Sequence, residues 1–143
     1  MDEQNIALAD KFVAAYQNLD KQDLSELKDI YHADIVFEDP AHRMEGWVQL
    51  SDYFARLFDA VDYCSFNITE QVCHGDTAYV QWVMTFQHPK LQSGKSRLVN
   101  GCSRLVFADG KVIHHRDYFD MGQMLYEGIP LLGPIVRKIK ARL

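Results

Sequence analysis

The hydrophobic pattern of this chain changes period once, near residue 62, and that change limits what the chain can fold into. Before it, apolar residues recur at helical spacing; after it, they alternate. Ile6, Ala9, Phe12, Val13 and Tyr16 form a first helical stripe. Asp20 stands where the N-cap of a second helix would, ahead of Leu24, Leu27, Ile30 and Tyr31. A short strand is expected over residues 35–38. A third helix is expected from near Gly46 to about Val61, with Trp47, Leu50, Phe54, Leu57 and Phe58 at helical spacing.

Beyond that point residues 65–72 read as a strand and Gly75-Asp76 as a turn. Residues 78–88 read as a long strand with Ala78, Val80, Trp82, Met84 and Phe86 on one face. A loop over 89–94 precedes two strands, 97–107 and 111–119. These form a hairpin around Ala108-Asp109-Gly110, where the glycine can take the left-handed conformation of a three-residue loop. Helices followed by a meander predict an α+β fold. The expected assembly is a cone-shaped α+β barrel: three N-terminal helices close a strongly curved antiparallel sheet, and a short C-terminal helix follows. No repeat or linker interrupts the chain, so residues 1–143 read as one domain.

Composition narrows the classes. Twenty Asp and Glu outweigh fifteen Lys and Arg, for a formal charge of −5, which argues against a nucleic-acid partner. A hydrophobic share of 48% suits a folded core. The start, Met1-Asp2-Glu3-Gln4-Asn5, is unlike a secretory signal, and no apolar run approaches the ~20 residues of a spanning helix. Cys64, Cys73 and Cys102 lack metal-ligand spacing and read as reduced, packed thiols, with the cytoplasm as the expected compartment. His32, His42, His74, His88, His114 and His115 form no ligand cluster, so neither a metal nor an organic cofactor is expected.

Residues 121–143 differ in character, forming a basic amphipathic extension. Residues 128–134 interrupt any helix begun after Asp120, and Pro134 can start another. Ile135, Val136, Ile139 and Leu143 then oppose Arg137, Lys138, Lys140 and Arg142. Such a helix can lie over the open end of the cone, contact a second subunit, or touch a membrane surface.

The first candidate for chemistry is Asp39. Ile35, Phe37 and Asp39 share a strand face, so a carboxylate extends an apolar, inward-looking row. A carboxylate held against apolar neighbours resists ionising, which makes it useful as an acid or base near neutral pH. The competing reading is structural: Asp before Pro40 can end a strand by bonding the backbone of the next turn.

Taken with Tyr31, Phe37-Glu38-Asp39-Pro40, Gly46, Tyr53-Phe54 and the final hairpin, the chain resembles the nuclear-transport-factor-2-like superfamily. Within it the chain looks most like the SnoaL-like group, whose relatives include polyketide cyclases and ketosteroid isomerases. The resemblance implies a homodimer and a pocket for a small hydrophobic molecule. It places Asp39 where the isomerases hold their general base and Asp117 where the cyclases hold a catalytic Asp. It also exposes departures: Phe12 replaces the isomerase Tyr, Ser103 or Cys102 replaces its protonated Asp, and Arg116 replaces a cyclase Trp. Donors of that kind contribute ~3 kcal/mol each, so steroid isomerisation is not expected. Tyr16, one turn beyond Phe12, can substitute.

The remaining candidates follow from their faces. His115 shares a face with Asp117 and can hydrogen-bond to it, whereas Arg116 must point the other way. His42 follows Asp39 and can cover a pocket mouth. Phe12, Phe54, Phe58, Trp82, Met84, Phe86 and Phe119 either line a pocket or fill a core. Asn100 and Ser103 cannot both face inward, and the turn register decides between them. Two functions stay open: acid–base chemistry by Asp39 or Asp117, or non-catalytic ligand binding or interaction on the same scaffold.

Overall fold

The computed structural model describes residues 2–19, 24–91 and 94–143. Asp20 and the Gln92-Ser93 part of the expected loop lie outside the described residues. Among the described residues three helices precede the meander: α1 (Asp2–Gln17), α2 (Ser25–Ile30) and α3 (Trp47–Ala60). Between α2 and α3 run β1 (Tyr31–Glu38) and β2 (Arg43–Glu45), and the meander is β3 (Tyr63–His74), β4 (Thr77–Gln87), β5 (Arg97–Ala108) and β6 (Lys111–Phe119). A short α4 (Met121–Met124), a 3₁₀ turn (Tyr126–Gly128) and α5 (Leu132–Ala141) follow.

The strands make one curved sheet in the order β2-β1-β6-β5-β4-β3, which does not close into a barrel. Its β1–β6 pairing is parallel; the other four pairings are antiparallel. The parallel pairing arises because the chain enters β1 from α2 and leaves through α3, so β1 joins the meander by a long crossover. The core lies between the sheet and the helices, with Phe12 of α1, Leu27 of α2, Phe54 of α3 and the alternate residues Ala78, Val80, Trp82, Met84 and Phe86 of β4 all buried. That β4 face is the one the alternation predicts.

Several boundaries move. Ile6 is exposed, and the buried face of α1 is Ala9, Phe12, Ala15 and Tyr16. Tyr31 opens β1 instead of closing α2, and Leu24 stands at the N-cap position of α2. The β5–β6 connection is a two-residue turn, with Ala108 paired to Lys111 and positive φ at Asp109 and Gly110, the geometry of a type I′ hairpin. Ile113 is an extra residue in β6, since Val106 pairs with His114 and Phe107 with Val112. Strict alternation puts Ile113 inward; the bulge puts Val112 there instead, while His115 and Asp117 keep the inner face.

Register also accommodates the largest side chain. Trp82 of β4 sits opposite Gly101 of β5, and a Cβ on Gly101 would overlap the indole ring. Gly101→Ala must therefore displace Trp82. The expected cost is about 1–3 kcal/mol of stability, as for an overpacked core, measured by urea unfolding against the parent protein.

Candidate functional site

Two carboxylates face the hollow between helices and sheet. Asp39 follows the last residue of β1, and only 7% of it is exposed. Its Oδ1 accepts backbone N–H bonds from Ala41 (2.8 Å) and His42 (2.7 Å), so it does close the turn after Pro40. Its Oδ2 accepts the Tyr53 hydroxyl at 2.9 Å, and His42 Nδ1 lies 3.2 Å from Oδ1. Asp39 thus combines the structural reading with a place on the cavity wall.

Asp117 has different company. Ser103 lies directly opposite it on β5, and its hydroxyl donates to Asp117 Oδ1 at 2.5 Å. His115, two residues back on the same face, contacts the same oxygen through Nε2 at 2.6 Å. His115 Nδ1 is 2.8 Å from the Tyr31 hydroxyl, which is 2.5 Å from the Tyr16 hydroxyl. At the other end, Trp82 Nε1 donates to Ser103 Oγ at 2.9 Å. Six side chains from α1, β1, β4, β5 and β6 make one hydrogen-bonded chain.

Their chemistry orders the donors. An indole N–H only donates, so Ser103 accepts it and turns its own hydroxyl to Asp117. A carboxylate accepts, so His115 Nε2–H donates to it. The Nδ1 of a neutral imidazole is then an acceptor for Tyr31, whose oxygen accepts the Tyr16 hydroxyl. With the imidazole neutral, every donor in the chain runs toward Asp117 Oδ1. Among the described residues none bonds Asp117 Oδ2.

The cavity between the two acids measures about 80 Å³ as space open to the centres of water-sized molecules. One water needs roughly 10–15 Å³ on that measure, so there is room for a small molecule. Besides Asp39 and Asp117 its wall includes Phe12, Tyr16, Phe54, Phe58, Trp82, Met84, Ser103, His115 and Phe119, all expected from the sequence. Three expected residues stand apart. Asn100 is exposed on the outer face, because the β4–β5 register turns Ser103 inward and Asn100 out. Phe86 is buried in the core but does not border the cavity. His42 touches Asp39 without bordering the cavity itself.

Sequence reasoning missed Tyr31, Tyr53, Phe37, Cys64, Phe66 and Met124. Tyr31 reads as the end of a helical stripe until β1 is known to begin there. Tyr53 lies at the edge of the α3 stripe, where an aromatic body can be half-buried while its hydroxyl finds a polar partner. Arg116, as expected, points away from Asp117 and donates to Glu38 at 2.8 Å. Among the described residues no group of His, Cys, Asp and Glu could hold a metal ion, and no helix is long and apolar enough to cross a membrane. The apolar side of α5 is not packed over the cavity: Ile135 and Ile139 are exposed, and Arg137 donates to the Glu127 carbonyl of the 3₁₀ turn.

Burial holds several groups neutral. It raises the Tyr16 and Tyr31 phenols well above their usual 10.0, and that of Tyr53 too, with the Asp39 charge adding to the effect. It pushes the Cys64 thiol from 9.0 up to about 12. These groups keep their protons in the folded state at pH values where the unfolded chain releases them. Their contribution is therefore full below the unfolded values and is lost as pH rises above about 9–10. Urea unfolding at pH 7 and about pH 10.5 should show a lower midpoint at the higher pH, with a shallower fall in Tyr31→Phe. Equal midpoints would contradict the burial of these groups.

The sequence model of the SnoaL-like domain family matches residues 10–115. Among solved structures, an LEH-like epoxide hydrolase from M. tuberculosis is 19% identical, with a TM-score of 0.70 over 97% of this chain and 98% of that one. A proposed SnoaL-like polyketide cyclase from Shewanella putrefaciens is 23% identical, with a TM-score of 0.68 over 85% and 93%. A protein with a ketosteroid isomerase-like fold from Catenulispora acidiphila, in complex with trimethylamine, is 18% identical, with a TM-score of 0.70 over 85% and 90%. These likenesses show the fold. No curated protein matches the chain.

Proposed function

Because the chain belongs to the SnoaL-like domain family, we propose that it binds a small apolar molecule in the cavity and moves a proton on it. The reaction would be an acid–base step of isomerase, cyclase or hydrolase type. The observation that supports this best is that Asp39 and Asp117 border one cavity whose wall is otherwise largely aromatic and aliphatic. Apolar surface supplies affinity, and a few convergent polar groups set orientation and chemistry.

Asp117 is the stronger acid–base candidate. Ser103 and His115 occupy its Oδ1, while Oδ2 remains able to accept a proton from a substrate carbon or an attacking water and return it. Asp39, with the Tyr53 hydroxyl on its Oδ2, offers a second polar group on the same wall. Epoxide- and polyketide-like compounds fit this chemistry and agree with the names of two similar structures. The bonds from the turn backbone to Asp39 Oδ1 favour a second reading, a binding protein in which that acid is structural. A homodimer belongs to the same proposal. Val72, Tyr79, Leu98 and Tyr118 are exposed on the strands, and Val72 and Tyr79 are cross-strand partners.

The test is a thermal-shift screen of small apolar ketones, epoxides and aromatic polyketide analogues, followed by long incubation with each hit. The enzyme reading expects product, with turnover reduced on the order of a hundredfold or more in Asp117→Asn and less in Asp39→Asn. A ligand that stabilises the protein but returns unaltered would move the conclusion to binding alone. Unchanged turnover in both variants would remove the acids from the chemistry.

A further inference from the structure

The last helix turns its apolar side away from the protein. Gly133 of α5 is buried, and a Cβ there would overlap the Glu127 carbonyl, so the glycine lets the helix sit directly on the 3₁₀ turn. Arg137, one turn on, donates to the same carbonyl at 2.8 Å, and the Lys140 ammonium lies 3.4 Å from the Glu127 carboxylate. These contacts fix which side of α5 faces out.

On the outer side Ile135 and Ile139, one turn apart, are 56% and 57% exposed. Leu131, Leu132 and Leu143 are exposed with them. A helix that covers a core buries its apolar stripe, whereas this one presents it to solvent. The five side chains make a patch on the order of several hundred Å², the size that marks an interaction site. Leu131 also holds a positive φ of 70°, and the Leu132 N–H donates to the Pro130 carbonyl across it. That turn is rare for a branched side chain, and here it leaves a strained leucine 83% exposed.

The same segment carries Arg137, Lys138, Lys140 and Arg142 and no carboxylate, in a chain whose net charge is −5. Glu127 occupies Arg137 and Lys140. Among the described residues Lys138 and Arg142 make no ion pair.

We propose that this face docks on an anionic lipid bilayer, with Leu131, Ile135 and Ile139 in the interface and Lys138 and Arg142 against the headgroups. The proposal goes beyond the cavity and does not depend on its being a ligand site.

Charge argues against a second copy as the occupant. A two-fold pairing of these faces would bring two sets of cations together. Docking head to tail on the acidic remainder of another copy would leave an open face at each end and build a chain of copies. A bilayer takes both halves of the face at once. Aliphatic side chains gain from the acyl boundary, while Lys and Arg lay their stems along apolar surface and keep their charges in water. An anionic surface repels the acidic body, so attraction is confined to this end of the molecule. With ten residues in the helix the contact is reversible, because it needs apolar burial and charge together.

The test is flotation of the full chain with vesicles of phosphatidylcholine, alone or with roughly one-third phosphatidylserine. Capture by the serine-containing vesicles is expected, weaker on the order of tenfold or more on neutral vesicles or in high salt. Lys138→Gln with Arg142→Gln should lower affinity for the anionic vesicles on the order of tenfold or more. Ile135→Ser with Ile139→Ser should abolish capture and leave the urea midpoint in place, because both side chains are exposed. No capture by anionic vesicles, or capture that survives either pair of substitutions, would overturn the proposal. Sedimentation without lipid supplies the other arm. A parent species that is larger than the isoleucine variant would give the face to a second copy, and the lipid assignment would fall.

Discussion

A charged or polar group placed in an apolar cavity costs several kcal/mol unless hydrogen bonds replace its water, and this requirement organises the site. Asp117 is 17% exposed at its side chain, and His115 is 1% exposed. Neither could persist there alone. Ser103 and Trp82 answer from one side, Tyr31 and Tyr16 from the other, so four strands and the first helix converge on one carboxylate oxygen. A network of this kind stabilises only when every member is satisfied. That explains why residues distant in sequence, such as Tyr16 and Asp117, must be held in one register.

The sheet supplies that register. In the antiparallel β4–β5–β6 ladder, Ser103 stands opposite Asp117 on one side and Val80 on the other, which places Trp82 opposite Gly101. Glycine leaves the space across which the indole reaches the serine hydroxyl. The bulge at Ile113 resets the alternation of β6 so that Val112 is buried below it while His115 and Asp117 face the cavity above it. One residue more or fewer would send the carboxylate to the outer face, where Arg116 already pairs with Glu38.

Much of this was legible in the sequence, for physical reasons that also mark where reading stopped. The change of period near residue 62 and the alternation of β4 are burial patterns, and burial is what hydrophobicity records. His115 and Asp117 share a face by simple parity, and parity equally separates Arg116 from them. The bulge at Ile113, the parallel pairing of β1 and the choice between Asn100 and Ser103 depend on register, which the pairing of remote strands decides. Tyr31 was hidden for a related reason. An aromatic residue at the junction of a helix and a strand fits the apolar face of either, and only the β1–β6 pairing brings its hydroxyl to His115.

The two acids are not equivalent, and the difference follows from their backbones. Asp39 ends a strand before a proline, where the chain must turn, and the free N–H groups of Ala41 and His42 claim one of its oxygens. Removing that oxygen would loosen the turn as well as the cavity wall. Asp117 lies within a strand whose backbone groups are occupied by the β5 ladder, so its carboxylate is free of local duties and is held by side chains alone. A group held only by side chains can exchange a proton through them without disturbing the main chain. The proton chemistry proposed for this scaffold is therefore assigned to the last strand, with the turn after β1 keeping the opposite wall in place.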